Sequence, residues 1–321
     1  MWTTTEARSR YGRSVERIAV FGPNPLLTVT VEGHPSGPDD IHLHAGGQGV
    51  WVTRMAGELG AYPILCGLAG GEAGAVLESL LAALPGERRL VPTAADSGCY
   101  VMDRRSGERQ LISQALSPPP SRHELDDLFS VTCAAALDSK ALVVCNPYPG
   151  ETLPLEVYGN LVADSEANGT PALVDLSSPR LDSALEGGPS VVKINDWELA
   201  QYVQAPVSEP AQMRGAMERL QDAGARLVIV TTGGGPVHVL DGDDLWRLDP
   251  PRFERGSREG CGDSMMGAMS AVLGSGAGWR EAVITGAAAG AANFLRHGLG
   301  TGSREIVDQL ASSLELRPAP V

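Results

Sequence analysis

The chain is poor in basic residues. Lysine and arginine together number 25 against 39 acidic residues, which gives a formal net charge of −14 over 321 residues. Surfaces that bind nucleic acid or anionic membranes need clustered lysine and arginine. The charge balance therefore argues against nucleic acid or a membrane as the main partner. A small anionic ligand held by a few local donors remains compatible with it.

Cysteine pairs and long apolar runs are also missing. The five cysteines are scattered, without a CxxC pair or a metal-ligand spacing, which indicates reduced thiols and a cytoplasmic location. Because no run of about 18 apolar residues is present, no transmembrane span is expected. Residues 1–16 lack the apolar core of a secretory signal, and we predict a disordered leader there.

What the chain does contain is an alternation of short β-rich runs and helical patterns. Between about residues 140 and 240, buried apolar runs alternate with amphipathic segments. This alternation indicates βαβ units. It predicts an α/β fold with a doubly wound, mostly parallel sheet and helices on both faces.

Two segments break this alternation. Residues 27–45 and 99–113 contain half-polar strands that no helix follows directly. Such strands suit a small, solvent-facing sheet better than a buried one. A small sheet attached to an α/β core is often a lid over a cleft. The alternative is an edge sheet without a function.

The first of three motifs is HAGGQGVWVTRMAGELGA, residues 44–61. A strand ends there, a Gly-Gly-x-Gly loop turns, and an amphipathic helix begins. Free backbone N–H groups at such a helix start can bind anions or hydroxyl groups. A glycine-rich turn with no ligand is the alternative.

The second motif is VVKINDWEL, residues 191–199, in which Glu198 follows Asn195 by three positions. Asn-x-x-Glu is the pattern of a capping box, in which two side chains satisfy N–H groups of a helix start. The same residues lie at the carboxyl end of a predicted parallel strand, where open α/β sheets bind ligands. The motif therefore supports two interpretations: a helix cap, or side chains that reach a hydrated Mg²⁺ ion and its phosphates.

The third motif is REGCGDSMM, residues 258–266, which precedes a predicted helix over 264–275. Gly260, Cys261 and Gly262 would present consecutive N–H groups that stabilise negative charge. Asp263 would lie beside them and accept a proton from a hydroxyl group; a simple Asp N-cap is the alternative. Cys261 at such a site would be a reactive thiolate, unless it only fills space.

In this order and spacing, the three motifs resemble the ribokinase-like, or PfkB, family of carbohydrate kinases over residues 17–316. The Gly-Ala-Gly-Asp motif of that family is present here as Gly260-Cys261-Gly262-Asp263, and its Asn-x-x-Glu motif as Asn195 to Glu198. The 1-phosphofructokinase and tagatose-6-phosphate kinase branch is the most similar, through the segments NPLLTVTVEG (24–33), AGGQGVWVTRMAGELGA (45–61) and LAGGEAG (68–74).

The resemblance implies one kinase domain over 17–316, with a lid sheet that often makes a homodimer contact. It implies transfer of the γ-phosphoryl group of ATP to a hydroxyl of a small sugar-like acceptor. Asp263 would be the base, and the Gly260, Cys261 and Gly262 amides would form an anion hole. Glu198 would hold Mg²⁺ through water. The residues expected beside the nucleotide are Lys193, Asn195, Glu198, Thr232, Gly233, Gly235 and Asn293.

The acceptor side departs from the family pattern. Thr28 replaces an aspartate, Gln48 a lysine and Trp51 an asparagine, and SGCYVMD (97–103) replaces a cluster rich in cations. We therefore expect an acceptor that differs from sugar phosphates; a catalytically weak ligand-binding protein on a kinase scaffold is the alternative. The alternative for an anionic acceptor is that arginines near the lid bind it from another direction: Arg54, with Arg104, Arg105 or Arg109. The residues expected beside the acceptor are Asn24, Thr28, Gly46, Gly47, Gln48, Trp51 and Arg109.

Overall fold

Two sheets organise the part of the chain that the computed structural model describes, residues 15–34, 36–147, 153–296 and 298–319. All but the last two residues of the expected leader lie outside these ranges. The strands are Arg17–Phe21 (β1), Leu26–Glu32 (β2), Asp40–Gly46 (β3), Tyr62–Gly70 (β4), Glu87–Thr93 (β5), Cys99–Asp103 (β6), Gln110–Ala115 (β7), Leu142–Cys145 (β8), Ala172–Asp175 (β9), Val191–Asn195 (β10), Leu227–Thr231 (β11), Val237–Asp241 (β12), Asp244–Leu248 (β13) and Leu316–Pro318 (β14).

Helices connect these strands and cover the larger sheet. None of them, within the described ranges, is long and apolar enough to cross a membrane. They are Gln48–Glu58 (α1), Gly71–Leu81 (α2), Arg122–Leu137 (α3), Glu156–Ala167 (α4), Arg180–Glu186 (α5), Asp196–Val203 (α6), Pro210–Asp222 (α7), Cys261–Gly274 (α8), Trp279–Phe294 (α9) and Arg304–Ala311 (α10).

The larger sheet has the order β14-β13-β12-β11-β10-β9-β8-β1-β4-β5 within the described residues. Pairing is parallel from β5 to β11 and antiparallel from β11 to β14. Along β1, Ala19 and Phe21 pack into one hydrophobic cluster and Ile18 and Val20 into another, so both faces are buried. The predicted doubly wound α/β fold is confirmed.

The smaller sheet has the order β3-β2-β6-β7 and is built from the two segments that broke the alternation. Residues that pair across strands share a face. Thr28 pairs with Tyr100 and Thr30 with Met102 on one face, where all four side chains are buried. The opposite face carries Val29, Val31, Val101, Ile41 and Leu43.

The structure also contains elements that the sequence pattern did not predict, namely β5, β13, β14 and α5. β5 and β14 are the edge strands of the large sheet, and edge strands tolerate charge and proline. The sequence of β5, ERRLVPT, has both and therefore lacks a strand pattern. The expected start of α8 at residue 264 is wrong, because the helix begins at Cys261.

Candidate active site

Polar residues collect at the carboxyl ends of neighbouring parallel strands. Asp175 ends β9 and Asn195 ends β10, while Asn146 directly follows β8. Register places Cys145 beside Asp175, and Asn195 beside Thr231 at the end of β11. The crevice outside these strand ends lies near the point where the strand order reverses. Open α/β sheets usually bind their ligands in such a crevice.

The first turn of α8 lies at the same edge. Gly260 is the N-cap with φ 73°, a left-handed conformation that favours glycine. The Ser264 N–H donates to the Gly260 carbonyl at 2.9 Å. In the described part of the chain, no protein acceptor contacts the N–H groups of Gly262 and Asp263. The turn is therefore open to an anion.

A buried ion pair lies directly beneath this turn. Lys193 Nζ is 2.9 Å from Asp175 Oδ2. A Cβ atom at position 262 would lie 2.5 Å from the Lys193 Nζ, so a larger residue there would displace the ammonium group from this position. Burial alone would lower the pKa of Lys193, but the charges of Asp175 and Asp263 raise it above its ordinary value. The ammonium group therefore stays charged below the anion site.

Asp263 faces the same ion pair. Asp263 as a whole residue is partly exposed to solvent, but its carboxyl group is densely surrounded by protein atoms. This burial, together with the charge of Asp175, raises the pKa of Asp263 to about 7. The Gln48 side chain interacts favourably with the ionised form of the Asp263 carboxyl group, and the Gln48 Oε1 accepts from the Asn146 N–H at 2.5 Å. Gln48 thus lies between Asp263 and the segment after β8, a position that the sequence did not reveal.

Two cavities meet at the start of α8. The Asp263 cavity, of about 410 Å³, is lined by Gly260 and Asp263. The Gly233 cavity, of about 770 Å³, is lined by Cys261 and Gly262. The same helical turn therefore faces both spaces, with a carboxyl group towards one and backbone towards the other.

Most predicted residues line one of these cavities. The Gly233 cavity has Lys193, Asn195, Thr232, Gly233 and Gly235 in its wall. The Asp263 cavity has Thr28, Gly47, Gln48, Trp51, Arg109 and Glu198 in its wall.

Three predicted residues occupy other places. Gly46 lines a third cavity instead, and Asn24 and Asn293 are not among the residues that line the described cavities. The buried Asn293 side chain donates to the Glu259 carbonyl at 2.8 Å and accepts from the Thr301 N–H at 3.3 Å. Asn293 therefore positions the loop before α8 rather than bordering the Gly233 cavity.

The Asn195–Glu198 motif forms the capping box. Asn195 Oδ1 accepts from the Glu198 N–H at 2.8 Å, and Glu198 Oε2 accepts from the Asn195 N–H at 3.1 Å. Burial and the charge of Asp175 raise the pKa of Glu198. The two side chains also line the cavities, so a capping role does not preclude contact with a ligand.

The expectation of a reactive thiolate at Cys261 is wrong. Its Sγ lies 3.5 Å from the Asn293 Nδ2. Burial, the largest influence, raises the pKa of Cys261 above its ordinary value, despite the helix start beside it. The thiol is therefore neutral at physiological pH, as the space-filling alternative holds.

Two residues of the site escaped the sequence analysis. Asp175 lies within the apolar run of β9. Its position at the carboxyl end of a parallel strand was the signal that could have identified it as a site residue. Arg258 lies within the third motif and lines the Gly233 cavity, with its Nη1 3.7 Å from the position of a Cβ on Gly233.

The predicted residue Arg109 forms an ion pair with Glu259. This pair joins the small sheet to the loop before α8.

Comparisons with known proteins show the family of the chain. The family model described as "pfkB family carbohydrate kinase" matches residues 19–306. The ATP-dependent 6-phosphofructokinase isozyme 2 of Escherichia coli (strain K12) is 29% identical over 265 residues, which cover 79% of this chain and 82% of that protein.

Solved structures show the same architecture. Phosphofructokinase-2 from Escherichia coli in complex with potassium superposes with a TM-score of 0.81 at 26% identity, covering 93% of this chain and 99% of that one. Arabidopsis thaliana ribokinase complexed with ribose and ATP gives a TM-score of 0.72 at 17% identity, over 92% and 99% of the two chains, which supports the fold alone. This chain belongs to the pfkB family of carbohydrate kinases, which use ATP, and is a phosphotransferase with an alcohol group as acceptor.

Proposed function

We propose that this protein transfers the γ-phosphoryl group of ATP to a hydroxyl of a sugar-like acceptor, with Asp263 as the base. One observation carries the proposal: the first turn of α8 faces both cavities. ATP would occupy the Gly233 cavity, where Phe253 and Phe294 stack at 6.5 Å between centroids and offer an apolar wall for a base. The acceptor would occupy the Asp263 cavity.

The residues around α8 support each part of this transfer. Asp263 accepts the proton of the acceptor hydroxyl, whose oxygen bonds to the γ-phosphorus as the bond to the ADP oxygen breaks. The free N–H groups of Gly262 and Asp263 stabilise the charge on the transferred group. Lys193 adds a fixed positive charge beneath them.

A hydrated Mg²⁺ ion fits the charges of the site. Besides burial, the charge of Asp175 raises the pKa of both Glu198 and Asp263, and the charge of Glu198 also raises that of Asp263, against the single ammonium of Lys193. Within the described residues, no group of three or more His, Cys, Asp or Glu side chains could hold a metal directly. Glu198 and Asn195 would therefore hold the ion through water. When bound, it supplies positive charge to the phosphates.

The acceptor is the part of the proposal that departs from phosphofructokinases. Gln48 brings no charge and is engaged by Asn146 and Asp263. Arg109 is the only arginine or lysine that lines the Asp263 cavity among the described residues, and Glu259 neutralises it. A phosphate buried there would incur a desolvation cost of several kcal/mol.

We expect fructose-6-phosphate, fructose-1-phosphate and tagatose-6-phosphate to be poor acceptors. Their kcat/KM should lie below about 10⁴ M⁻¹s⁻¹, the lower end for working enzymes. Steady-state ADP release, measured beside neutral sugars, nucleosides and sugar acids, checks this. Efficient turnover of any of the three would contradict it.

The same panel separates a kinase from a ligand-binding protein. A kinase consumes ATP with at least one acceptor and releases a phosphorylated product, which mass spectrometry detects. If compounds bind but none is phosphorylated, the protein is a binding module on a kinase scaffold. We propose a cytoplasmic location, since the five cysteines are free thiols.

We further propose that residues 17–316 form one kinase domain whose small sheet is a lid and a homodimer contact. The outer face of this sheet exposes Ile41 by 64% and Leu43 by 47%, beside the partly buried Val29 and Val31. An apolar face of this kind suits a partner. Phosphofructokinase-2 from Escherichia coli has a tetrameric inhibited form, which shows that a similar fold can assemble.

Replacing Ile41 and Leu43 together with aspartate should convert a dimer to a monomer, because two charges would be buried in the contact. Light scattering after size exclusion gives the mass. Leu137→Asp is the control, since Leu137 is 63% exposed on α3, away from the small sheet. An unchanged mass in the double variant would remove the lid from the interface.

A further inference from the structure

A third cavity lies between the inner face of the small sheet, the loop before α8 and the loop after α9. It has a volume of about 910 Å³, and we call it the arginine cavity. Thr28, Trp51, Arg109 and Glu259 line both it and the Asp263 cavity, so the two spaces adjoin. Its arginines within the described residues are Arg54, Arg104, Arg109, Arg255, Arg258 and Arg296.

Only some of these arginines are neutralised. Arg104 lies 3.5 Å from Glu32, and Arg109 pairs with Glu259. Among the described residues, no carboxylate lies within ion-pair distance of Arg54, Arg255, Arg258 or Arg296, and Glu108 is the one further acid of the lining. In a chain of net charge −14, this local excess of positive charge requires an explanation.

Arg54 is the most informative member. It projects from α1, is partly buried, and its Nη1 donates to the Leu299 carbonyl at 2.6 Å. Burial lowers its pKa, and the charge of Glu58 opposes this change. Removing a guanidinium from water is costly, and a bound anion beside it would offset that cost. The planar group still has donors that match the oxygens of a phosphate or carboxylate.

If the proposed kinase function holds, we propose that the arginine cavity binds an oxyanion group of the acceptor, remote from the hydroxyl that faces Asp263. The acceptor is then an extended molecule that passes Trp51, a residue that lines both cavities. Its phosphate or carboxylate is held by Arg54, with Arg255 and Arg296 supplying further charge. This places the anion away from Gln48 and the 97–103 segment.

Binding of inorganic phosphate tests the anion site directly. The protein is first saturated with a non-hydrolysable ATP analogue, which fills the Gly233 cavity, and phosphate is then titrated by calorimetry. Arg54→Gln should weaken binding about 10- to 100-fold, the usual effect of losing a hydrogen bond between charged groups. Arg255→Gln combined with Arg296→Gln should also weaken it, and because both side chains are exposed, this double variant should fold normally. Malonate in place of phosphate distinguishes a carboxylate site.

Arg122→Gln is the matched control. It removes the same charge as Arg54→Gln, but Arg122 lies on α3, where its side chain is 83% exposed. Equal phosphate affinity in wild type and in both sets of cavity variants would overturn the inference. So would the absence of phosphate binding in the wild type. Failure of the ATP analogue to bind would instead contradict the proposed function itself.

Kinetics then show whether the anion belongs to the acceptor. Among the compounds that the wild type phosphorylates, those with a remote oxyanion should have a KM raised at least about tenfold by Arg54→Gln or by the double variant, with a smaller change in kcat. Inorganic phosphate should compete with them. Purely neutral acceptors, or phosphate that inhibits without competing, would overturn the assignment to the acceptor.

Discussion

Asp263→Asn is expected to lower phosphoryl transfer by about 10²- to 10⁴-fold, the usual contribution of a positioned base. The amide keeps the shape of the side chain and can still bond Gln48, but it cannot take a proton from the acceptor. Folding should not suffer, because burial and Asp175 already disfavour the charge at this position. ATP affinity should also change little.

The measurements are steady-state turnover, ATP affinity by calorimetry and thermal unfolding of the same preparation. Asp222→Asn is the control, since Asp222 is exposed at the end of α7. It should match the wild type in all three. Turnover of Asp263→Asn within a few-fold of wild type would exclude Asp263 as the base.

The pH dependence offers a second check on the same residue. A base acts only when deprotonated, and the pKa of Asp263 is raised to about 7. The value of kcat/KM should therefore rise about tenfold per pH unit below this pKa and level off above it. A profile that is flat between about pH 5 and 8 would mean that no such group titrates in the free enzyme.

The fold could be predicted from the sequence because its signals are local. Apolar runs such as that of β8 are bounded by turns, and the half-polar strands of the small sheet differ visibly from them. β5 could not be found in this way, because an edge strand does not need an apolar face. The sequence places the start of α8 too late, since Gly260 at the N-cap and Gly262 in the first turn oppose the helical pattern.

The site was predictable only as far as its motifs extend along the chain. Asn195, Glu198 and Asp263 carry recognisable spacing, and the structure brings Glu198 and Asp263 to one cavity. Asp175 and Lys193 are 18 positions apart, and nothing in either local sequence announces their ion pair. In the sequence, Gln48 is seen only as a residue that replaces a lysine. Its interactions with Asn146 and Asp263 could not be predicted, because they bring together three segments that are far apart in the chain.

Lys193→Met is expected to destabilise the protein by about 3–5 kcal/mol, the usual cost of removing one partner of a buried ion pair. The Lys193 and Asp175 side chains are exposed by only 7% and 9%. Without the ammonium, Asp175 would remain buried beside Asp263 and Glu198 with no cation among them. Urea unfolding should therefore show a lower midpoint, whereas Lys140→Met, at an exposed position, should not.

Loss of Lys193 should also change catalysis through Asp263. Its ammonium lowers the pKa of that carboxyl group, opposing burial and Asp175. In Lys193→Met the pKa of Asp263 should rise further, so the ascending limb of the pH profile should move to higher pH. This shift distinguishes an electrostatic role of Lys193 from simple loss of folded protein, which would lower activity equally at every pH.

Combining Lys193→Met with Asp175→Asn separates stability from function. Removing both charges leaves no unpaired ion, so most of the lost stability should return. Activity should stay low, because no fixed positive charge remains below the Gly262 N–H group. If the double variant is as unstable as Lys193→Met, the ion pair is not what stabilises this edge of the sheet. If it regains full turnover, Lys193 has no part in stabilising the transferred phosphoryl group.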